Sequence, residues 1–319
     1  MKHHFGDWLN RDRDYWSIIP NKERWAYRFA DLSDAPTESS ILTITKQDLN
    51  WERIFEFEYL SELTLHEASK QQLEAVKKLK HLTALRISHA RPKTLEFILG
   101  QNNLEELVLE YVSGFEDLSP LTELPKLTAL HMENLRRVRD FNGLSGCKEL
   151  KCLSIYGTLD WKQPIESLDF LKKLPKLEYL DCGFINFLSN FPVFEPLASM
   201  KKIDEIRLGL SATSLENFAY LEAKFPNIKG AKRLPYRIIE GRDRKINTID
   251  IRGRMPLEEF KAIPGAFLSD EGERFIYETP QLYLLGKGTR YYSGPIEKVM
   301  RRCDEHKAKY DKLVQSFSH

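Results

Sequence analysis

Seven times along the chain the same six-residue figure returns: an aliphatic residue, another three positions on, and a third two positions after that. It reads Leu60-Leu63-Leu65, Leu82-Leu85-Ile87, Leu104-Leu107-Leu109, Leu127-Leu130-Met132, Leu150-Leu153-Ile155, Leu177-Leu180-Cys182 and Ile203-Ile206-Leu208. Successive first positions lie 22, 22, 23, 23, 27 and 26 residues apart. A period of this size marks a solenoid in which every turn supplies one short strand and one return segment. The stretch Ser39 to Ile44 begins 21 residues before Leu60 and reads as a degenerate first strand. No single strand can bury its own apolar face, so stacking of neighbouring turns is obligatory.

Side chains alternate along a strand. The second and third apolar positions of each figure, such as Leu107 and Leu109, therefore point into the core. Their neighbours, such as Glu106, Val108 and Glu110, point onto the opposite, concave face. With strands about 4.8 Å apart, one row across that face should read His66, Ser88, Glu110, Glu133, Tyr156. The row beside it should read Thr64, Arg86, Val108, His131, Ser154, Asp181, Arg207. The return segments carry apolar residues at helical spacing, as in Leu73-Val76-Leu79-Leu82 and Leu118-Leu121-Leu124-Leu127, and should close the convex side.

The segments Asp117 to Leu127 and Asp169 to Leu177, with their Leu-Pro-Lys-Leu endings, resemble the short leucine-rich repeats of bacterial internalins and phosphatase-regulatory repeat proteins. The resemblance covers roughly residues 39–228. It implies an α/β leucine-rich repeat solenoid, a right-handed horseshoe with a parallel sheet on its concave face. Members of that family bind many unrelated partners, so the resemblance speaks to fold more than to function. One departure stands out. The family usually places Asn three residues after the last strand leucine, and here those positions are Ala68, Ala90, Val112, Leu135, Thr158, Ile185 and Ser211. Backbone groups in these turns must then find other partners.

The aromatic-rich stretch 1–38, with Trp8, Tyr15, Trp16, Ile18, Ile19, Trp25, Tyr27 and Phe29, is expected to cap the open N-terminal end of the solenoid. The two long steps place extra residues around Trp161, Phe184 and Phe187, in loops that either form an apolar patch or pack back on the body. Phe225 to Ile228 is expected as the last strand of the solenoid, 39–228. Residues 229–319 form a strand-rich extension, with strands at Tyr236–Ile239, Ile246–Arg252, Arg274–Tyr277 and Gln281–Leu285. This extension either continues the sheet or folds separately. Gly294-Pro295 then opens an amphipathic helix expected to act as the C-terminal cap, with Ile296, Val299, Met300, Cys303, Tyr310, Leu313, Val314 and Phe317 on one stripe.

Lys plus Arg number 48 and Asp plus Glu 47, a formal net charge of +1, which argues neither for nucleic acid nor for a membrane surface. From Lys229 onward there are 19 basic and 13 acidic residues, leaving 29 and 34 before it. No apolar run reaches the roughly 20 residues of a membrane span. Four unpaired-looking cysteines and the lack of a signal-like N-terminus point to a cytoplasmic setting. Gly286-Lys287-Gly288-Thr289-Arg290 lacks the spacing of a phosphate loop. Glu106, Glu110, His131 and Glu133 should converge on the concave face, but no metal, cofactor or catalytic residue is assigned. A flat open sheet supplies neither an oxyanion hole nor shelter from water. The expected function is non-catalytic binding of a partner protein by the concave face. The contacts assigned to it are Arg86, Glu106, Glu110, Tyr111, His131, Glu133, Tyr156, Tyr179, Asp181 and Arg207, since Tyr and Arg dominate interface hot spots. No small-molecule substrate is expected. The alternative is nucleic-acid or phosphorylated-ligand binding by the basic C-terminal part, through Arg242, Arg244, Lys245, Arg252, Arg254, Lys287, Arg290, Arg301 and Arg302, with Tyr291 and Tyr292 stacking.

Overall fold

A computed structural model describes residues 7–245, 256–269, 273–288 and 292–318. The chain forms two compact units, one of residues up to 212 with 224–232, the other of 213–223 with 233 onward. The first unit is built on strands β1 (Ile41–Thr45), β2 (Glu62–His66), β3 (Ala84–Ser88), β4 (Glu106–Glu110), β5 (Ala129–Glu133) and β6 (Cys152–Tyr156). These are followed by β7 (Gln163–Ile165), β8 (Tyr179–Gly183), β9 (Ile185–Phe187) and β10 (Glu205–Leu208). Eight of them make one parallel sheet in the order β1-β2-β3-β4-β5-β6-β8-β10.

The register follows the repeat. Leu63, Leu85, Leu107, Leu130, Leu153, Leu180 and Ile206 pair in one line across the sheet, and all are fully buried. The line two residues on, Leu65 to Cys182, is equally closed. The excess residues of the two long steps form β7 and β9, which pair with each other as a second small parallel sheet. Phe187 is buried there against Phe194.

Two expectations about the return segments need correction. Apart from α1 (Lys70–Ala75), they are short 3-10 turns rather than α-helices. A return of this length has room for one tight turn between consecutive strands, and its leucines reach the core without a full helix. Phe225 to Ile228 forms no strand; one isolated bridge, Glu205 to Lys229, ends the ladder.

The missing asparagines are replaced by backbone. After β2, β3, β4 and β5 the next N–H donates to the last carbonyl of the following strand: Glu67 to Ser88, His89 to Glu110, Tyr111 to Glu133 and Asn134 to Tyr156, at 2.8–2.9 Å. Glu67, His89, Tyr111, Asn134 and, after β8, Phe184 adopt left-handed backbone with φ of 49–56°. Such conformations are uncommon for non-glycine residues and here recur at one repeat position. Apolar Ala90, Val112, Leu135 and Ile185 fill the space the amides would take. Gln72, Gln101 and Gln163 donate to the carbonyls of Thr45, Val76 and Val138.

The second unit holds α2 (Leu215–Lys224), β11 (Tyr236–Ile239), β12 (Arg242–Lys245), α3 (Leu257–Lys261), β13 (Ala266–Leu268), β14 (Arg274–Glu278), β15 (Gln281–Leu284), β16 (Tyr292–Ser293) and α4 (Ile296–Phe317). Its strands are antiparallel, in two three-stranded sheets ordered β11-β15-β16 and β12-β14-β13, and do not continue the repeat sheet. The strand expected over Ile246–Arg252 lies outside the described residues. Val299 and Cys303 of α4 bury against Leu282, and the Tyr310 hydroxyl donates to Glu222 Oε2 at 2.8 Å. Ile296 and Met300, expected on the same stripe, are exposed. Among the described residues no helix is long and apolar enough to cross a membrane.

Truncating a side chain in the central apolar line removes both transfer energy and packing. Leu130→Ala is expected to cost about 2–5 kcal/mol. The same change at Leu159, which is 80% exposed, should stay within about 0.5 kcal/mol. Thermal melting of the two full-length variants checks the contrast.

Candidate functional site

The concave face has the rows read from the sequence. Thr64, Arg86, Val108, His131, Ser154, Asp181 and Arg207 pair in one line, and His66, Ser88, Glu110, Glu133 and Tyr156 in the next. A third line holds Glu62, Ala84, Glu106, Ala129, Cys152, Tyr179 and Glu205. Nine of the ten assigned residues lie in these rows, while Tyr111 stands one residue past β4 in the turn, and most of the face is not open. Arg86, Glu106, Glu110, His131, Glu133, Tyr179 and Asp181 are buried, and Tyr111, Tyr156 and Arg207 are half-buried.

The cover is the chain's own N-terminal segment. The structure divides the expected end cap in two. Residues from Arg28 to Leu32 do run beside the first strand, with bridges Arg28 to Thr43 and Asp31 to Leu49. Residues Leu9 to Arg24 instead cross the concave face from the β10 side to the β1 side. Arg13 pairs with Asp204 and Glu205, each at 2.7 Å, and the Tyr15 hydroxyl donates to Glu178 at 2.8 Å. Leu9, Trp16 and Ile18 pack into a slot formed by Ala84, Val108, Ala129, Cys152 and Tyr179. Three of these slot residues are small, which is what leaves room for an indole between strands.

The face grips the segment by its main chain. Glu106 accepts from the Ser17 N–H at 2.8 Å through one oxygen and from the Ile18 N–H at 3.0 Å through the other. Glu62 accepts from the Ile19 N–H at 2.8 Å. Arg86 donates to the Ile19 carbonyl at 3.0 Å and to Glu110 at 2.8 Å. Arg24 donates to Ser88 at 3.2 Å, and burial lowers its guanidinium to about 10. An extended segment lying across strands cannot join their ladder, so side chains meet its backbone groups.

Toward β8 the network continues without the segment's backbone. Asp181 accepts from the Tyr156 and Tyr179 hydroxyls at 2.8 and 2.9 Å. Burial still raises its carboxyl, with the two tyrosines and His131 pulling the other way. Trp8 stacks on Tyr156 with ring centroids 6.0 Å apart. A Cβ on Gly183 would fall 2.3 Å from the Tyr156 ring, so the glycine makes this arrangement possible.

Glu110, His131 and Glu133 bring ligand-type atoms within 4.8 Å of one another, while Glu106, expected among them, is spent on the segment. His131 Nε2 lies 3.8 Å from Glu133. Arg86 already supplies Glu110 with a positive charge, so the group reads as a charge network rather than a ligand set with both carboxylates to spare. All four cysteines are free and buried, and burial raises their thiols, Cys147 to about 12. Such thiols are poor nucleophiles. Of the basic residues assigned to the alternative function, Arg242 pairs with Glu278, Arg301 with Glu305, and Arg302 lies over the Tyr292 ring at 4.1 Å. Arg252, Arg254, Arg290, Tyr291 and the side chains of Arg244 and Lys245 lie outside the described residues.

Sequence reading missed Glu62, Ala84, Ala129 and the whole N-terminal overlay. The signals were present: small residues alternating with glutamates at the first concave position, and a dense aromatic segment.

Glu106→Gln should loosen the segment, because an amide NH2 must then face either the Ser17 or the Ile18 N–H; the expected cost is about 1–3 kcal/mol. Glu62→Gln keeps an acceptor for its single N–H and should not. Hydrogen exchange of the amides of residues 17–19 distinguishes the two. Burial, with Glu106 adding, raises the Glu62 carboxyl, opposed by the Ile19 N–H and Arg86. The native state therefore holds its proton to higher pH than the unfolded chain does. Stability from this group is complete below the ordinary glutamate range and is lost as pH rises through the raised value. Glu62→Gln should flatten that slope in chemical denaturation series across the mildly acidic range.

No protein-family model matches the chain, and no curated protein matches it. Among solved structures it is similar to internalin C2 of Listeria monocytogenes, at 22% identity over 53% of this chain and 73% of that one, with a TM-score of 0.39. It is similar to the internalin InlF of the same organism, at 17% identity over 57% and 58%, with a TM-score of 0.42. A leucine-rich repeat protein of Leptospira interrogans shows 15% identity over 57% and 64%, with a TM-score of 0.32. Likenesses this distant carry no functional argument, and the repeat geometry stands without them. With seven copies of one figure in register along an eight-stranded parallel sheet, the first unit has the leucine-rich repeat fold.

Proposed function

We propose that the first unit is a protein-interaction module whose concave face takes an extended segment of a partner protein, and that residues Leu9 to Arg24 occupy that face as a tethered competitor. The observation that carries this reading is the way the face meets its own N-terminal segment. Glu106, Glu62 and Arg86 bind three successive residues by main-chain N–H and C=O groups. Any peptide of the same conformation offers those groups. Selectivity would come from the slot that takes Trp16 and Ile18, and from Asp204 and Glu205, which meet Arg13. The fitting partner segment has a basic residue, then a bulky aromatic, then an aliphatic two positions on.

This reading requires that the segment be displaceable. Each fixed residue costs about 1–2 kcal/mol of backbone entropy, and each well-buried large apolar side chain returns about 1.5–3 kcal/mol. Ordering the segment therefore offsets much of what its anchors Leu9, Trp16 and Ile18 return. A tethered competitor acts at an effective concentration near millimolar, which weakens the apparent affinity for outside ligands without abolishing it. A cytoplasmic setting fits the four free, buried thiols.

The test uses the full chain and a synthetic peptide of residues 9–19. Trp16→Ala weakens the tethered copy, so the variant should bind the peptide at least tenfold more tightly than the wild type. Adding Glu106→Gln should remove that binding. A linear peptide library panned on Trp16→Ala should enrich the aromatic-x-aliphatic spacing. Equal, negligible peptide binding by both chains, together with no enrichment, would mean that the segment is a permanent part of the fold.

A further inference from the structure

Beside the concave face, where β3, β4 and β5 end, three consecutive turns form a cleft of about 460 Å³. Its lining repeats with the solenoid. The three left-handed residues His89, Tyr111 and Asn134 alternate with the residues two positions on, Arg91, Ser113 and Arg136. The repeated φ of 56° gives the three turns one backbone course, so equivalent side chains stand side by side. His89 and Tyr111 stack with centroids 4.8 Å apart. This cleft belongs to neither the slot that takes Trp16 nor the network around Asp181.

Its charge is one-sided. The lining holds two guanidinium groups and no carboxylate. Arg91 and Arg136 are exposed, and among the described residues neither forms an ion pair. Arg136 is turned by its Nε–H donation to Asn134 at 3.3 Å and lies 5.9 Å from the Trp161 ring. The neighbouring cleft of about 350 Å³ is different: Lys93 and Arg137 share it with Glu96, Glu116 and Asp117. Cations balanced by carboxylates in that cleft and unbalanced in the Arg91–Arg136 cleft mark the latter as the place for an anion from outside.

The donor set narrows the anion. A carboxylate offers two oxygens in one plane, and a single guanidinium fork engages both in a bidentate pair. Here two forks stand with the Ser113 hydroxyl and the Asn134 amide, a donor set spread more widely than one planar carboxylate. A phosphate group offers three oxygens in a tripod, and arginine forks suit it. Arg91 and Arg136 follow strands two steps apart, a base separation of about 9–10 Å, which a ligand with linked phosphates spans better than a single orthophosphate. The volume lies in the range of small-ligand sites, about 300–1,000 Å³.

We propose that this cleft binds a phosphate-bearing ligand bridged between Arg91 and Arg136. The proposal does not rest on the peptide-binding reading. Its chemistry is shared by a free diphosphate compound and a doubly phosphorylated protein segment, and titration calorimetry at low ionic strength separates them. One arm uses inorganic pyrophosphate, the other a short peptide with two phosphoserines, each against wild type, Arg91→Gln, Arg136→Gln and the double variant. Both arginines are exposed, so the variants should keep the wild-type melting temperature, which is measured alongside. Each single variant should weaken binding roughly tenfold, the double variant should abolish it, and added salt should weaken it in wild type. Pyrophosphate binding with this pattern assigns a free phosphate ligand; peptide binding alone with this pattern assigns a protein-borne one. No saturable binding of either probe, or affinities within twofold in the double variant, overturns the site.

Discussion

Everything in the first unit depends on parallel strands that cannot exist singly. Each contributes five residues at most, two of them apolar and inward, and its backbone groups are satisfied only by the strand on either side. The leucine lines therefore do two things at once. They bury the largest share of apolar surface, and they set the register that brings every second side chain into rows on the other face. A slip of one residue would exchange the two faces, which is why the core and the concave rows are one constraint rather than two.

That coupling explains the peculiar chemistry of the concave face. Open repeat sheets usually leave such a surface hydrated. Here the rows hold buried glutamates, an arginine, a histidine and an aspartate, and burying such groups is costly unless each has a partner. The N-terminal segment supplies many of those partners through its own backbone. Glu106 and Glu62 take its N–H groups and Arg86 its carbonyl. In turn the segment, which has no ladder of its own, is held by side chains that the solenoid spaces at regular intervals.

The turns beyond the strands show the same economy in another form. Without an asparagine ladder, the chain uses left-handed residues and a backbone relay from turn to turn, with isolated glutamines adding bonds to loop carbonyls. Because the relay repeats, the side chains on it repeat as well, and three turns bring His89, Tyr111 and Asn134 into a row with Arg91, Ser113 and Arg136.

The sequence by itself determined the period, the inward leucines, the order of residues in two of the three concave rows, the strands near Tyr236, Arg274 and Gln281 but not their antiparallel pairing, and the helix after Pro295. These are local or periodic properties: alternation along a strand and spacing between copies need no knowledge of distant contacts. It did not determine that the convex returns are 3-10 turns, since leucine spacing alone fits both. Only the tertiary structure decided that Leu9 to Arg24 lie over the concave face rather than at its end. Placing that segment requires matching Trp16 to a slot made by small residues on β3, β5 and β6, and three N–H groups to two carboxylates on β2 and β4. The two carboxylates are separated from the N–H groups they accept from by 43 to 89 positions, and the slot residues on β5 and β6 from Trp16 by more, a distance over which hydrophobic periodicity carries no information and only the folded surface does.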